Sequence, residues 1–252
     1  MEKNKSIFYS DKESSLFAEK NICFILTSRY GGLSQSPYDS LNLAYHTGDD
    51  PNAVSQNRKL INQIFFPTKK LLWLDQTHSD DILDIQNKPY INGFISQGDA
   101  LICEDKKFAA MILVADCNPI LIYESKAQIF ALIHAGRVGI QKSILTKTIQ
   151  NILKKPQTKI ENFLVFIGAS IRKCCYEISK DLSESFPQKY ILKNNSSHKL
   201  DMIAMLQDEL LKNNIHPNQT QILPNCSCCQ KELFSYRRDN ITGRFALIAW
   251  LK

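Results

Sequence analysis

Three uninterrupted apolar runs in close succession, Phe108–Val114, Ile120–Tyr123 and Ile129–Ile133, most constrain what this chain can fold into. A strand with one wet face alternates apolar and polar residues. These runs do not alternate, so both faces of each must be covered. Further short β-rich runs stand at Leu71–Leu74, Ile82–Ile85, Ala100–Cys103, Phe163–Ile167 and Phe245–Leu251, and CFILTS at Cys23–Ser28 leads into the glycine turn after Arg29. Helical periodicity separates them. Asp50 is a good N-cap and Pro51 suits the first helical position, with Val54, Ile61, Ile64 and Phe65 following on one face. The spacing of Ile140, Ile144, Leu145, Ile149, Ile152 and Leu153 predicts a helix over Ile140–Leu153, and another is expected over Leu200–Leu211. Covered strands interleaved with helices imply one α/β domain over residues 1–252, a layered sandwich with mixed β-sheets inside and helices outside.

Composition narrows the function classes. Hydrophobic residues make up 44% and charged residues 22% of the chain, an ordinary globular balance that excludes disorder as the default. The longest uncharged apolar runs, Phe108–Ala115 and Phe245–Leu251, fall far short of the ~20 residues that a membrane span needs, so no membrane partner is expected. The opening MEKNKSIFYSDKESS has a basic start but no apolar stretch behind it; no secretory signal is read there and a cytoplasmic location is expected. Lys and Arg exceed Asp and Glu by 31 to 25, a net charge of +6 that suits anionic ligands. The excess scatters along the chain with no zinc-finger spacing and no aromatic RNA-binding signature, so nucleic acid is not an expected partner. Without an export signal, the eight cysteines read as free thiols or metal ligands rather than a disulfide frame.

Three residues combine into a candidate metal site. His78 follows the LLWL run, Cys117 follows MILVAD and precedes Asn118-Pro119, and His134 closes ALIH. Each stands at or just past a strand end, where side chains project towards a common edge. Two imidazoles and a thiolate suit Zn2+ and leave a fourth position open, through which a metal polarises an oxygen ligand or generates a nucleophile. Taken singly, a strand-end cysteine is more often a small buried hydrophobe, and the spacings match no compact zinc motif.

His134-Ala-Gly-Arg-Val-Gly139 leads straight into the predicted helix. A glycine turn at a helix start lets backbone N–H groups approach an anion, and Arg137 could add a charge-assisted contact; a plain tight turn has the same composition. Near the C-terminus, Arg237 and Arg238 read either as an anion site or as a solvated, salt-bridged pair. Cys174, Cys175, Cys226 and Cys228 could be grouped as a tetrathiolate zinc site, but structural zinc commonly uses paired Cys-x-x-Cys knuckles, and the grouping is set aside.

Taken in order, Tyr30-Gly-Gly-Leu-Ser34, Pro37-Tyr-Asp-Ser-Leu-Asn-Leu43, His46-Thr-Gly-Asp-Asp-Pro51, Gln76-Thr-His78, Ala115-Asp-Cys-Asn-Pro-Ile120, His134-Ala-Gly136, Cys174-Cys-Tyr-Glu177 and Phe234-Ser-Tyr-Arg-Arg238 are specific. On these motifs the chain resembles, nearly end to end, the laccase-domain family. That family is also called multicopper polyphenol oxidases, and described as purine nucleoside phosphorylases and as a peptidoglycan editing factor. The resemblance implies zinc at His78, Cys117 and His134, with the same three residues catalytic, and copper where oxidase activity is at issue. Asn42, Arg58, Gln76, Gly136, Arg137, Arg237 and Arg238 lie in or beside the matched motifs and are the candidate substrate-binding residues. The family's turn reads His-Ala-Gly-Trp-Arg-Gly; here Arg137 and Val138 replace the Trp and Arg, and Arg137 is expected to stand in for the absent arginine. Both prolines of the family's Gly-Pro-x-Ile-Gly-Pro-Cys-Cys-Tyr-Glu are also lost, the stretch from Gly168 reading Gly-Ala-Ser-Ile-Arg-Lys-Cys-Cys-Tyr-Glu.

Three activities follow as expectations. The first is phosphorolysis of a purine nucleoside such as adenosine, inosine or methylthioadenosine, accompanied by adenosine deamination, with the nucleoside and phosphate as small-molecule partners. The second is copper-dependent phenol oxidation, for which two His and one Cys are also blue-copper ligands, although five histidines are too few for a four-copper laccase. The third is a cysteine hydrolase acting on a cell-wall precursor, with Cys117 as nucleophile and a histidine as base.

Overall fold

The apolar runs assemble into two six-stranded sheets stacked face to face. In the computed structural model, which describes residues 5–86, 88–194 and 197–252, the first sheet orders Ile7–Ser10, Ile22–Thr27, Phe245–Leu251, Phe108–Val114, Lys70–Asp75 and Phe94–Gln97. The second orders Thr220–Ile222, Phe163–Ile167, Asn118–Glu124, Ile129–Ala135, Ala100–Cys103 and Ile82–Asp84. Both are mixed: Phe108–Val114 runs antiparallel to Phe245–Leu251 on one side and parallel to Lys70–Asp75 on the other. A small third sheet orders Glu177–Ile178, Ser197–Leu200 and Ile191–Asn194.

Burial explains why the central runs carry no alternation. Every residue of Asn118–Glu124, Ile129–Ala135 and Phe245–Leu251 is buried, because one face of each strand meets the opposite sheet and the other meets helices. Phe24, Ile112, Leu121, Phe130 and Phe166 fill the space between the sheets. Helix Pro51–Phe65 covers the outer face of the first sheet through Ile61, against Met111 and Ile248. Helices Ile144–Leu153 and Met202–Lys212 cover the second through Ile149 and Leu206, against Ile122 and Ile133. The one carboxylate within these strands, Glu124, is fully buried and accepts backbone N–H bonds from Lys126 and Ala127 in the hairpin turn, so its charge is solvated by the turn itself. Among the described residues, no helix is long and apolar enough to cross a membrane.

Two helix expectations need correction. The stretch read as a single helix over 140–153 is two, Arg137–Gln141 and Ile144–Leu153, broken where Ser143 takes a left-handed backbone at φ 58°. The break turns Ile140 and Ile144 onto the same core, whereas Leu153, read as part of the buried stripe, is 39% exposed at the helix end. Leu200 belongs to the preceding strand; Asp201 then caps the helix by accepting from the Ala204 N–H at 3.1 Å. The Asp50 cap is as expected, its Oδ1 accepting from Asn52 N at 2.9 Å.

Three connections carry the chain from the first sheet to the second: residues 76–81, 98–99 and 115–117. They converge on one rim of the sandwich. At the tightest of them, Gly98 has φ 152° and an added Cβ would lie 2.3 Å from Leu83 Cδ1, so no side chain fits the crossing.

Phe166 packs against both Tyr9 and Phe24, with ring centroids 5.5 and 4.5 Å away. Phe166→Ala is expected to lower unfolding free energy by about 3–5 kcal/mol in urea titrations. A loss below about 1 kcal/mol would mean that the space between the sheets closes without it.

Candidate metal centre

Two of the sheet crossings carry His78 and Cys117, the third carries Asp99, and His134 joins them from the end of strand Ile129–Ala135. One donor atom from each lies within 4.8 Å of the other two. His78 Nε2 is 3.8 Å from Cys117 Sγ, and the two imidazoles meet edge to face with centroids 4.8 Å apart. His78 and the residue before Cys117, Asp116, both take positive φ, at 60° and 95°. Backbone held in that region is a strain that surrounding contacts must impose. Gly136 backs the cluster. A Cβ there would sit 3.1 Å from both Cys117 Sγ and His78 Cδ2, which explains the glycine after His134-Ala.

Asp99 imposes the arrangement. Its carboxylate is fully buried and accepts N–H bonds from Thr77, His78 and Ser79 at 3.2, 3.1 and 2.6 Å, plus the Ser79 hydroxyl at 2.8 Å. The same carboxylate lies 2.7 Å from His134 Nδ1, which donates to it, so that Nε2 is the ring nitrogen left to ligate a cation once its proton is displaced. One buried anion therefore folds the turn that carries one imidazole and orients the other, the arrangement that metal-binding histidines commonly show.

Electrostatics follow from this packing. Burial opposes ionisation of the Cys117 thiol, but the imidazoles of His134 and His78 outweigh it and hold the thiol down to about 6. Burial equally opposes the His134 imidazolium, yet Cys117 and Asp99 push its pKa up to about 9. For Asp99, burial is outweighed by the bonds from His134 and Ser79, and its pKa lies below the usual carboxylate value. A thiolate between two imidazoles is a ready donor set for a borderline cation such as Zn2+.

The cluster opens into a pocket of about 310 Å³, in the size range of small-molecule sites. Its walls include Tyr176, Tyr236 and Ile171, and Arg237 and Arg244 line the same space. Burial lowers the Arg244 pKa while Cys117 and Asp116 favour its charge; its Nη1 donates to the carbonyls of Thr242 and Gly243. His46 also lines the pocket, its pKa lowered by burial and by Arg244. Asp116 links the parts, accepting the Arg237 N–H at 2.7 Å and the Ser227 hydroxyl at 2.6 Å. A larger concavity of about 1060 Å³ lies elsewhere, against Ile7, Tyr30 and Leu33, away from both thiol clusters.

The candidate substrate-binding residues divide. Gln76 and Arg237 line the pocket. The Gln76 amide exchanges two 2.7 Å bonds with the Leu113 backbone, extending the sheet ladder by a side chain. Arg137 stands just outside, donating to Gln141 Oε1 at 3.1 Å and lying close to Tyr176. Asn42 is fully buried beneath the pocket, where its Oδ1 accepts the Arg244 N–H at 2.9 Å. Arg58 is sandwiched between the rings of Tyr45 and Trp73 and donates to the Leu43 carbonyl. Arg238 ties a loop, donating to the carbonyls of Ser227, Cys228 and Gln230 and pairing with Asp239. Asp99, Asp116, Tyr176, Tyr236 and Arg244 were given no role from sequence, although Asp116, Tyr176 and Tyr236 lie inside quoted motifs. The four-thiol grouping needs correcting: the sulfurs that converge are those of Cys174, Cys175, Cys226 and Cys229, with Cys229 in the place given to Cys228.

Residues 23–252 match the family model described as multi-copper polyphenol oxidoreductase laccase. A Corynebacterium glutamicum protein named purine nucleoside phosphorylase is 33% identical, over 90% of this chain and 93% of its own length. An Escherichia coli protein of the same name is 29% identical over 92% and 95%. The crystal structure of the Bacillus licheniformis protein YfiH superposes with a TM-score of 0.87 at 23% identity, covering 96% of this chain and 99% of that one, and shows the same fold.

Replacing Asp99 by Asn puts an amide N–H where the backbone donors point. Asp99→Asn should weaken metal binding at this centre by about 10–100-fold, measured by competition with a chromophoric chelator. Unchanged affinity would show that His78 and His134 are held by other contacts.

Proposed function

From the premise that this chain belongs to the multi-copper polyphenol oxidoreductase laccase family, whose relatives above carry the name purine nucleoside phosphorylase, we propose that it cleaves purine nucleosides by phosphorolysis at the His78–Cys117–His134 centre. The observation that carries the proposal is that Arg237 and Arg244 face the same aromatic-walled pocket as the cluster. An anion and a flat heterocycle can therefore be held side by side.

In this reading, Arg237 and Arg244 bind inorganic phosphate through charge-assisted hydrogen bonds. Tyr176 and Tyr236 flank the purine, and His46, kept neutral, hydrogen-bonds the ribose. A phosphate oxygen forms a bond to the sugar C1′ as the glycosidic bond breaks. The electron pair leaves with the purine, which takes a proton from solvent, giving free base and ribose 1-phosphate. His78, Cys117 and His134 would hold Zn2+, which supplies Lewis acidity towards an oxygen ligand. Asp99 keeps His134 Nε2 facing that position. The donor sets found among the described residues, two His with one Cys and four Cys, lack the imidazoles of a four-copper oxidase, which favours phosphorolysis over phenol oxidation.

Incubating metal-replete protein with adenosine, inosine and methylthioadenosine should release free base only when phosphate is present. Arg237→Ala and Arg244→Ala should each raise the phosphate requirement roughly ten- to hundred-fold, the equivalent of about 1.5–3 kcal/mol, with metal content unchanged. Arg137→Ala should change it less, since that side chain stands outside the pocket wall. Base release that ignores phosphate, or ammonia release alone, would overturn the reading.

A further inference from the structure

We propose that Cys174, Cys175, Cys226 and Cys229 form a second, structural Zn2+ site that fastens together the two loops lining the pocket. The four sulfurs lie within 4.8 Å of one another. Cys229 Sγ is 3.4 Å from Cys175 Sγ and 3.9 Å from Cys174 Sγ. In a tetrahedral zinc tetrathiolate, Zn–S bonds of about 2.3 Å place the sulfurs about 3.8 Å apart, so the cluster already has nearly that edge length. A disulfide would need a separation of about 2.05 Å and would use only two of the four thiols.

The local backbone fits a metal knuckle. Cys226-Ser-Cys-Cys229 is a Cys-x-x-Cys turn, closed by Cys229 N–H to the Cys226 carbonyl at 3.1 Å. The Arg172 N–H donates to Cys226 Sγ at 3.4 Å, a contact that suits a metal-bound thiolate. Bound zinc with four thiolates carries two negative charges, and cations surround the site. Lys199 Nζ donates to the Cys174 carbonyl at 2.7 Å, and the Arg172 guanidinium is held beside it by the Gly168 carbonyl at 2.9 Å. Cys228 is not among the four cysteines whose sulfurs converge.

The consequence reaches the pocket. Tyr176 follows Cys175 directly, and Arg237 Nη1 donates to the Cys175 carbonyl at 3.1 Å. The Ser227 N–H bonds to the Ser170 carbonyl at 3.0 Å, so the loops already meet by a β-bridge that the metal would reinforce. This site is independent of the phosphorolysis reading, and its test uses no activity.

The full chain, purified under reducing conditions with zinc, should carry two zinc per molecule by elemental analysis. Cys229→Ser and Cys174→Ser should each carry one, whereas Cys228→Ser keeps two. Cys117→Ala should also retain one and, after cobalt exchange, show strong thiolate-to-cobalt charge transfer with the ligand-field bands of tetrahedral sulfur coordination. That spectrum reads the site even if Cys229→Ser fails to fold. A single zinc lost entirely in Cys117→Ala, a cobalt spectrum without those features, or a Cys175–Cys229 disulfide in the reduced protein would overturn the assignment. Loss of zinc in Cys228→Ser with retention in Cys229→Ser would do so as well.

Discussion

The Asp99 carboxylate is the interaction on which the rest of the site depends. Moving an ionised carboxylate out of water is costly unless it is paired and hydrogen-bonded. This one meets the condition by collecting three consecutive backbone N–H groups, a hydroxyl and an imidazole. The donors come from two parts of the centre, the 77–79 turn and the His134 ring. The turn carrying His78 cannot relax without leaving a buried charge exposed to apolar surroundings, and neither can the His134 ring. The site is thus held by the cost of disturbing Asp99 as well as by its contacts.

The sandwich supplies the place. Two sheets stacked face to face need connections that leave one and enter the other, and three of these connections meet at one rim. Each of the three carries a positive-φ residue, His78, Gly98 and Asp116. The pocket is completed from the other side by residues 168–176 and 223–237. Asp116 spans the gap, linking the Cys117 crossing to Ser227 and Arg237. Packing between the sheets holds the crossings at one end, so core stability and site geometry are coupled.

Much of this was legible in the sequence. Uninterrupted apolar runs announced strands covered on both faces, and His78, Cys117 and His134 announced themselves by standing at the ends of such runs. Asp99 did not, because an aspartate after glycine reads as a turn residue. Nothing in its spacing points to His134, 35 positions away. Arg244 stood out only as one cation of a C-terminal block and was given no role, since its place comes from entering a strand whose first residue, Phe245, pairs with Val114 beside the cluster. The Ser143 break was hidden because Ile140 and Ile144 keep helical spacing on either side of it. Of Cys228 and Cys229, only the three-dimensional arrangement tells which one joins the sulfur cluster.

The central claim is that a metal and a phosphate meet in one pocket. Crystals grown with zinc and soaked in inorganic phosphate, with diffraction recorded above and below the zinc absorption edge, test it most directly. The account predicts an anomalous peak about 2.0–2.1 Å from imidazole nitrogens of His78 and His134 and about 2.3 Å from Cys117 Sγ. It also predicts tetrahedral density against Arg237 and Arg244. No peak at the three donors, or phosphate bound only outside that pocket, would contradict it.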